Sequence, residues 1–243
     1  MTQNKEHSTN HKEQITKNQE YCCQSNLDLY NSPQCEGLAT QAARGRCLRV
    51  EAVLEGAVAV QLCEDDYRAW LPKAQVAQLQ APSQPYQPIW VSREEILSRI
   101  PDIIAFTKAA MTHPHYYHWG GTVAPNYDCS GLMQAAFAAA GVWLPRDSYQ
   151  QAAFTETISP DAMEAGDLIF FQEKTRVDHV ALYLGNGQYI HSSGKRKGRN
   201  GIGIDEFSPN GSPIGQNYYP LFHSVGRVTH SYYPGRDRVA QDR

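Results

Sequence analysis

The chain lacks several features that would settle its class at once. No run of about 20 apolar residues occurs, and MTQNKEHSTNHKEQITKNQE at the start has no apolar core of a secretory leader. These absences point to a cytoplasmic protein with no membrane partner. No excess of one charge sign is present either: 22 Lys and Arg against 25 Asp and Glu leave a formal charge of −3, which argues against a nucleic-acid partner. No CxxC pair occurs among Cys22, Cys23, Cys35, Cys47, Cys63 and Cys129, so a structural zinc site is not expected. In a reducing compartment these six read as free thiols.

With 243 residues and 41% hydrophobic content, there is enough chain for one large domain or two modest ones. Residues 1–20 are polar and aperiodic and read as a disordered tail. CLRVEAVL (47–54) and AVAVQLCEDD (57–66) alternate around Glu55 and Gly56, and YRAWLP (67–72) resumes the pattern. Short strands without a long helix predict a small all-β barrel over 21–80. The proline-rich QAPSQPYQP (80–88) places a linker at 81–91, before a second domain at 92–235 and a tail at 236–243.

The second domain opens on a helix, with Ser92 and Glu95 as a capping box and Ile96, Leu97, Ile100, Ile103 and Ile104 on one face, Pro101 being a kink. YDCSGLMQAAFAAAG (127–141) supplies another, with Leu132, Met133, Ala136, Phe137 and Ala140 at helical spacing and Gly141 as its C′ residue. Strands follow at 167–172, 179–185, 188–193, 201–207 and 223–229. Helices packed on an antiparallel sheet make an α+β fold.

Cys129 lies in the first turn of the second helix, where the positive end of the helix dipole lowers a thiol pKa of about 8.5. A helix-start cysteine is also the pattern of an inert core thiol, so a second signal is needed. It comes from HVALYLGNGQYIHSS. A three-residue loop at Gly185, Asn186 and Gly187 pairs Leu182 with Ile190 and Tyr183 with Tyr189, and sets His179 and His191 as diagonal neighbours on one face. A two-residue loop would send them to opposite faces. A thiol and two histidines suit a nucleophile, a base and the group that orients it. HPHYYH (113–118) reads as a solvated loop, its helical spacing broken by Pro114, and the basic GKRKGRNG (194–201) fits either solubility or contact with an anionic peptide.

Five blocks carry a family resemblance: YHWGG (117–121), YDCSGLMQAAF (127–137), LPRDSYQQ (144–151), GDLIFF (166–171) and DHVALYLGNGQYIHSS (178–193). The chain from Ser92 to about Thr229 resembles the NlpC/P60 peptidases, papain-like cysteine enzymes that cut bacterial cell-wall peptides. The segment before it resembles a bacterial Src-homology-3 module. The resemblance implies Cys129 as nucleophile, His179 as base, His191 as orienting residue and Tyr117 as an aid to the oxyanion. It implies a papain-like catalytic domain that needs no cofactor or metal and no obligate protein partner.

Members with a preceding barrel cut the γ-D-glutamyl bond to L-lysine or meso-diaminopimelate in peptides with a free L-alanine amine. By resemblance the amine pocket falls on Asp128, Ser130, Trp119, Ser148 and Tyr67. A carboxylate beside a thiolate opposes catalysis unless a cation intervenes, and a substrate ammonium would serve. Tyr67 and Trp70 equally fit barrel-core aromatics, and Glu64, Asp65 and Asp66 fit solvated turn residues. The reading that results is a peptidase of peptidoglycan recycling. An acyltransferase or amidase on the same scaffold, a noncatalytic wall-binding protein and a Cys/His/His zinc enzyme are its competitors.

Overall fold

A computed structural model describes residues 15–237 and 241. The first part is a curled antiparallel sheet of β1 (Glu20–Cys23), β2 (Leu27–Tyr30), β3 (Leu38–Ala42), β4 (Cys47–Val53), β5 (Ala57–Leu62), β6 (Arg68–Pro72) and β7 (Leu79–Gln80). Its order is β3-β2-β6-β5-β4-β1-β7, so the small barrel curls from β3 to β7. Alternation drives the curl. Leu48, Val50, Val58, Val60, Leu62 and Leu71 are fully buried in its core, while the intervening residues face out.

Three expectations for this part change. Residues 1–14 lie outside those described, but the expected tail at 15–20 is ordered against the sheet: Asn18 N–H donates to Val50 O at 2.7 Å, and Glu20 opens β1. Register pairs Cys22 with Cys47 across β1 and β4, and these two form a disulfide with Cα atoms 4.1 Å apart. Free thiols were expected from the expected reducing compartment, and neither β1 nor its register is visible in the pattern of EYCC. Glu64 and Asp65 are not solvated. Both are buried against Arg46, at 3.1 Å each, and Glu64 also accepts from the Cys47 N–H.

The second part begins with α1 (Arg93–Thr112). Its N-terminus is closed by the expected capping box, and Pro101 sits inside it. After the short hairpin β8 (Thr122–Val123) and β9 (Asn126–Tyr127) come α2 (Cys129–Ala139), α3 (Ser148–Phe154) and β10 (Glu156–Ile158). The remaining elements are β11 (Leu168–Phe171), β12 (His179–Gly185), β13 (Gln188–Ser193), β14 (Gly201–Glu206), α4 (Pro213–Tyr218) and β15 (Phe222–Arg227). The sheet order is β10-β15-β11-β12-β13-β14, antiparallel throughout.

The sheet is covered on both faces, which is why LIFF in β11 is apolar without alternation. Val180, Leu182 and Ile190 join α1 and α2 in one core. Ala181, Tyr189 and Phe171 pack with Tyr218 of α4 in another. The two parts of the chain also meet through buried polar contacts. Gln134 Nε2 donates to Asp65 Oδ2 at 2.7 Å, and Arg146 Nε donates to Thr40 Oγ1 at 2.8 Å.

Candidate active site

Asp128 is the N-cap of α2: its backbone is extended, and its Oδ1 accepts from the Gly131 N–H at 2.6 Å. Its Oδ2 accepts from the Gly120 N–H at 2.9 Å. That bond ties the YHWGG loop to the start of α2 and so fixes Tyr117 and Trp119 beside Cys129. Two glycines permit the approach. Gly120 has a φ of +80°, and a Cβ on Gly131 would meet the Gly121 carbonyl oxygen.

The cation expected beside Asp128 belongs to the protein. Arg146, 1% exposed, grips Asp128 with both terminal nitrogens, at 2.6 Å to Oδ2 and 3.2 Å to Oδ1, and also donates to Ser130 Oγ at 2.9 Å. Both oxygens of Asp128 accept hydrogen bonds from the protein and its charge is balanced by Arg146, and it still borders the cleft. Asp178 borders the same cleft, as does Asp147, the N-cap of α3, which enters no ion pair among the described residues. Burial pushes its carboxyl above the usual range, against the pull of Arg146.

The histidine hairpin keeps the expected pairing by an unexpected route. Leu182 faces Ile190 and Tyr183 faces Tyr189, but Gly185 pairs with Gln188 around a two-residue turn. Asn186 and Gly187 both have positive φ there, at 52° and 72°. A bulge between Tyr183 and Gly185 adds back the residue that the shorter turn removes. His179 and His191 therefore share one face, with His179 Nε2 2.7 Å from His191 Nδ1.

The line of contacts continues to a residue the sequence reading passed over. His191 Nε2 lies 2.9 Å from Asp205 Oδ2, and Asp205 also accepts from Arg199 and from Ser212 Oγ, each at 2.6 Å. Asp205 stands diagonally across β13 and β14, two residues beyond Gly203, the partner of His191. Burial works against its charge, but the hydrogen bonds from His191 and Ser212 and the nearby Arg199 hold its carboxyl below the ordinary value. An ionised carboxylate can only accept, so His191 Nε2 carries a hydrogen.

Burial lowers the His191 pKa, despite the opposing pull of Asp205, and this favours neutral His191, with Nδ1 as an acceptor. His179 Nε2–H donates to it. This leaves His179 Nδ1 with a free lone pair, the only place on that ring for an incoming proton. Burial, His191 and Lys197 together hold His179 well below its ordinary 6.5. Both nitrogens of His191 are hydrogen-bonded, and among the described residues no group of three or more His, Cys, Asp or Glu is placed to hold a metal ion.

Cys129 is buried, and the backbone N–H groups of Val180 and Ser130 interact with its thiol. Since Val180 follows His179, the nucleophile lies against the start of the histidine strand. Burial, reinforced by Asp128, pushes the thiol up to about 12. The helix terminus does not lower it as expected, because desolvation of a thiolate outweighs the dipole and the two amides. Both shifts favour the neutral forms, the thiol of Cys129 and the imidazole of His179.

Cys129, Tyr117, Asp128, Ser130, Trp119, Ser148 and the barrel residue Tyr67 all border one cleft of about 410 Å³. His179 borders an adjoining cleft of about 520 Å³, and Tyr117 and Trp119 border both. Trp119 is 72% exposed, whereas Tyr67 is buried at 6%. Burial and the neighbouring Cys129 and Asp128 push the Tyr117 phenol far up, so it keeps its hydrogen. Arg146, Asp147 and Asp205 were missed by the sequence reading. The first two stand inside the quoted LPRDSYQQ block, and Asp205 is an acid on the His191 face of a strand that is otherwise apolar or glycine there.

Residues 114–217 match the NlpC/P60 family, and residues 29–76 match the bacterial dipeptidyl-peptidase Sh3 domain. The chain is 40% identical over 95 residues to the probable endopeptidase p60 of Listeria monocytogenes, covering 39% of this chain and 19% of that protein. It is 35% identical over 137 residues to the gamma-D-glutamyl-L-lysine dipeptidyl-peptidase of Bacillus cereus, covering 54% of this chain and 40% of that protein. These matches span less than half the length of either relative. A crystal structure of an NlpC/P60 family protein from Bacillus cereus aligns with a TM-score of 0.45 and 22% identity, covering 87% of this chain and 64% of that one.

Proposed function

We propose that this chain, which belongs to the NlpC/P60 family and carries a bacterial Sh3 domain ahead of its catalytic domain, is a cysteine peptidase of cell-wall peptides. It cuts the bond between γ-D-glutamate and an L-diamino acid in peptides whose L-alanine amine is free. The observation that carries this reading is the hydrogen-bonded line from His179 through His191 to Asp205, beginning next to Val180, whose backbone N–H interacts with the Cys129 thiol.

His179 Nδ1 takes the Cys129 proton as the sulfur attacks the amide carbonyl. Asp205, acting through neutral His191, stabilises the imidazolium that results. Negative charge on the carbonyl oxygen is met by the Cys129 N–H, one of the free donors in the first turn of α2, and by the Tyr117 hydroxyl. His179 returns the proton to the leaving amine. Water, deprotonated by the same imidazole, then releases the acyl group from the thioester.

The substrate's free amine is met by Asp147, with Tyr67 closing that end of the cleft from the barrel. Such an amine exists only after the sugar has been removed from L-alanine, so the reaction belongs to the recycling of released wall peptides. A cleft lined by Asp147, Ser148 and the Asp128–Arg146 pair is unlike the apolar channel an acyltransferase would need. The name of the Bacillus cereus relative agrees with the bond proposed.

The test compares L-Ala-γ-D-Glu-diamino acid peptides with free and acetylated amines. Acetylation should lower kcat/KM by about 10²-fold or more, since it removes a charge that faces a partly buried carboxylate. Cys129→Ala should abolish turnover of both. Equal rates on the two peptides would sink the amine reading.

A further inference from the structure

HPHYYH, expected to be a solvated loop, is fastened down along its length. Toward its far end the Tyr116 N–H donates to Asn126 Oδ1 at 2.9 Å, and the His118 N–H donates to Tyr127 O at 3.3 Å. Its near end is held by His115. That ring uses both nitrogens: Nε2 accepts from the Ile202 N–H of β14 at 2.8 Å, and Nδ1 lies 2.6 Å from His113 O. An amide N–H only donates and a carbonyl only accepts, so Nδ1 carries the hydrogen. The ring is a neutral bridge from the loop to the strand.

β14 is shaped to receive it. It ends the sheet and, among the described residues, pairs only with β13, so the Ile202 N–H on its open side needs an acceptor from elsewhere. Gly201 lets the ring come close. Its φ is +140°, and a Cβ there would meet the His115 ring.

The bridge joins two parts of the machinery. Tyr117 stands two residues after His115, and its ring lies against the residue that follows β13, since a Cβ on Gly194 would be 3.6 Å from it. On the other side, Ile202 precedes Gly203, the partner of His191, and β14 goes on to Asp205. The Gly120 bond to Asp128 fixes the loop after Tyr117, and His115 fixes it before.

We propose that His115 is a positioning residue for the Tyr117 hydroxyl, which it aims by locking the loop onto the strand that carries Asp205. The inference rests on the proposed function, in which Tyr117 donates to the carbonyl oxygen, and adds the residue that holds this donor in place. A donor stabilises the transition state only at hydrogen-bond distance from where charge develops, and a misplacement of about 1 Å can cost up to about 10²-fold in rate. His115 borders neither cleft, so its loss acts through Tyr117 and falls on kcat rather than on substrate contacts.

The experiment measures kcat and KM of the full chain on L-Ala-γ-D-Glu-L-Lys and its meso-diaminopimelate counterpart. The variants are His115→Gln, His115→Asn, Tyr117→Phe and the double variant His115→Asn with Tyr117→Phe, each with its thermal unfolding. Gln carries an oxygen out to where Nε2 stands and can still accept from Ile202, whereas Asn ends at the position of Nδ1 and reaches only His113. Asn should therefore lower kcat about tenfold with KM within about twofold, and Gln should recover most of the loss. Tyr117→Phe should lower kcat by about 10²-fold, and adding His115→Asn to it should cost less than about twofold more, because the hydroxyl that His115 aims is gone. An Asn variant with unchanged kcat, equal losses for Asn and Gln, or losses that multiply in the double variant would overturn the inference and leave the proposed function standing. An Asn variant that unfolds where the Gln variant stays folded would make the contact structural only, and would overturn it too. Unchanged kcat in Tyr117→Phe would remove the donor from the proposed mechanism together with this inference, and cleavage of neither peptide by the unmodified protein would overturn the proposed function itself.

Discussion

Replacing Asp205 by Asn keeps the size of the side chain and removes its charge, and this perturbation bears most directly on the mechanism. Asp205 Oδ2 receives both His191 Nε2–H at 2.9 Å and Arg199 at 2.6 Å, and Oδ1 receives Ser212. An amide has one oxygen for these donors. Loss of a charge-assisted hydrogen bond in a buried line costs about 1.5–3 kcal/mol. Because the imidazolium on His179 exists only during reaction, that loss falls on the transition state and lowers kcat by roughly 10- to 150-fold.

The pH profile separates this role from a merely structural one. Activity requires neutral His179, so it is lost as pH falls through that group's pKa, which already lies well below 6.5 in the native protein. Removing the Asp205 charge destabilises the imidazolium and lowers this pKa further. The acidic limb should therefore move to lower pH as the plateau falls. Asp205→Glu should restore part of kcat. An Asn variant that keeps its thermal stability, its plateau and its acidic limb would refute the argument.

Three further outcomes follow from the same geometry. Arg146→Met should cost about 3–5 kcal/mol of stability in denaturant unfolding, because it strands the buried Asp128 carboxylate without its cation; a loss under 1 kcal/mol would show that the pair is not needed. With the Cys129 thiol pushed up to about 12, its iodoacetamide labelling in the absence of substrate should rise close to tenfold per pH unit from 6 to 10. That rate must be read peptide by peptide, since Cys35 is also a free thiol, and a flat profile would reveal a preformed thiolate. Non-reducing peptide mapping should recover Cys22 joined to Cys47, and reduction should destabilise the barrel by roughly 3 kcal/mol; free thiols at both positions would contradict the pairing.

Legibility in the sequence followed the range of the interaction. Local signals were enough for α1, whose capping box spans Ser92 to Glu95, and for α2, whose apolar spacing ends at Gly141 with a φ of +74°. The pairing of the histidine hairpin was readable because like faced like at Leu182–Ile190 and Tyr183–Tyr189. Its turn was not, because a two-residue turn with a bulge and a three-residue loop give the same pairing. Short strands such as LDLY and EYCC carry too few residues to show a period, so β1, β2 and the disulfide went unseen. Arg146 and Asp205 were hidden for a different reason. Each acts on a residue 18 or 14 positions away, through contacts that exist only once a helix and a sheet have been packed.

Arg146 also explains why an acid can stand next to the nucleophile. Asp128 is needed where it is, since its two oxygens cap α2 and hold the YHWGG loop. Left alone, its charge would oppose a thiolate one residue away. Neutralising it with a substrate ammonium would couple the shape of the site to occupancy, whereas Arg146 makes the correction permanent. The same guanidinium donates to Thr40 of the barrel, so the group that balances Asp128 is positioned in part by the Sh3 domain. Tyr67 reaches the cleft from that domain too. The barrel is therefore a wall of the cleft that holds Cys129 and a support for the charge beside it, and the second domain expressed without it would lack both.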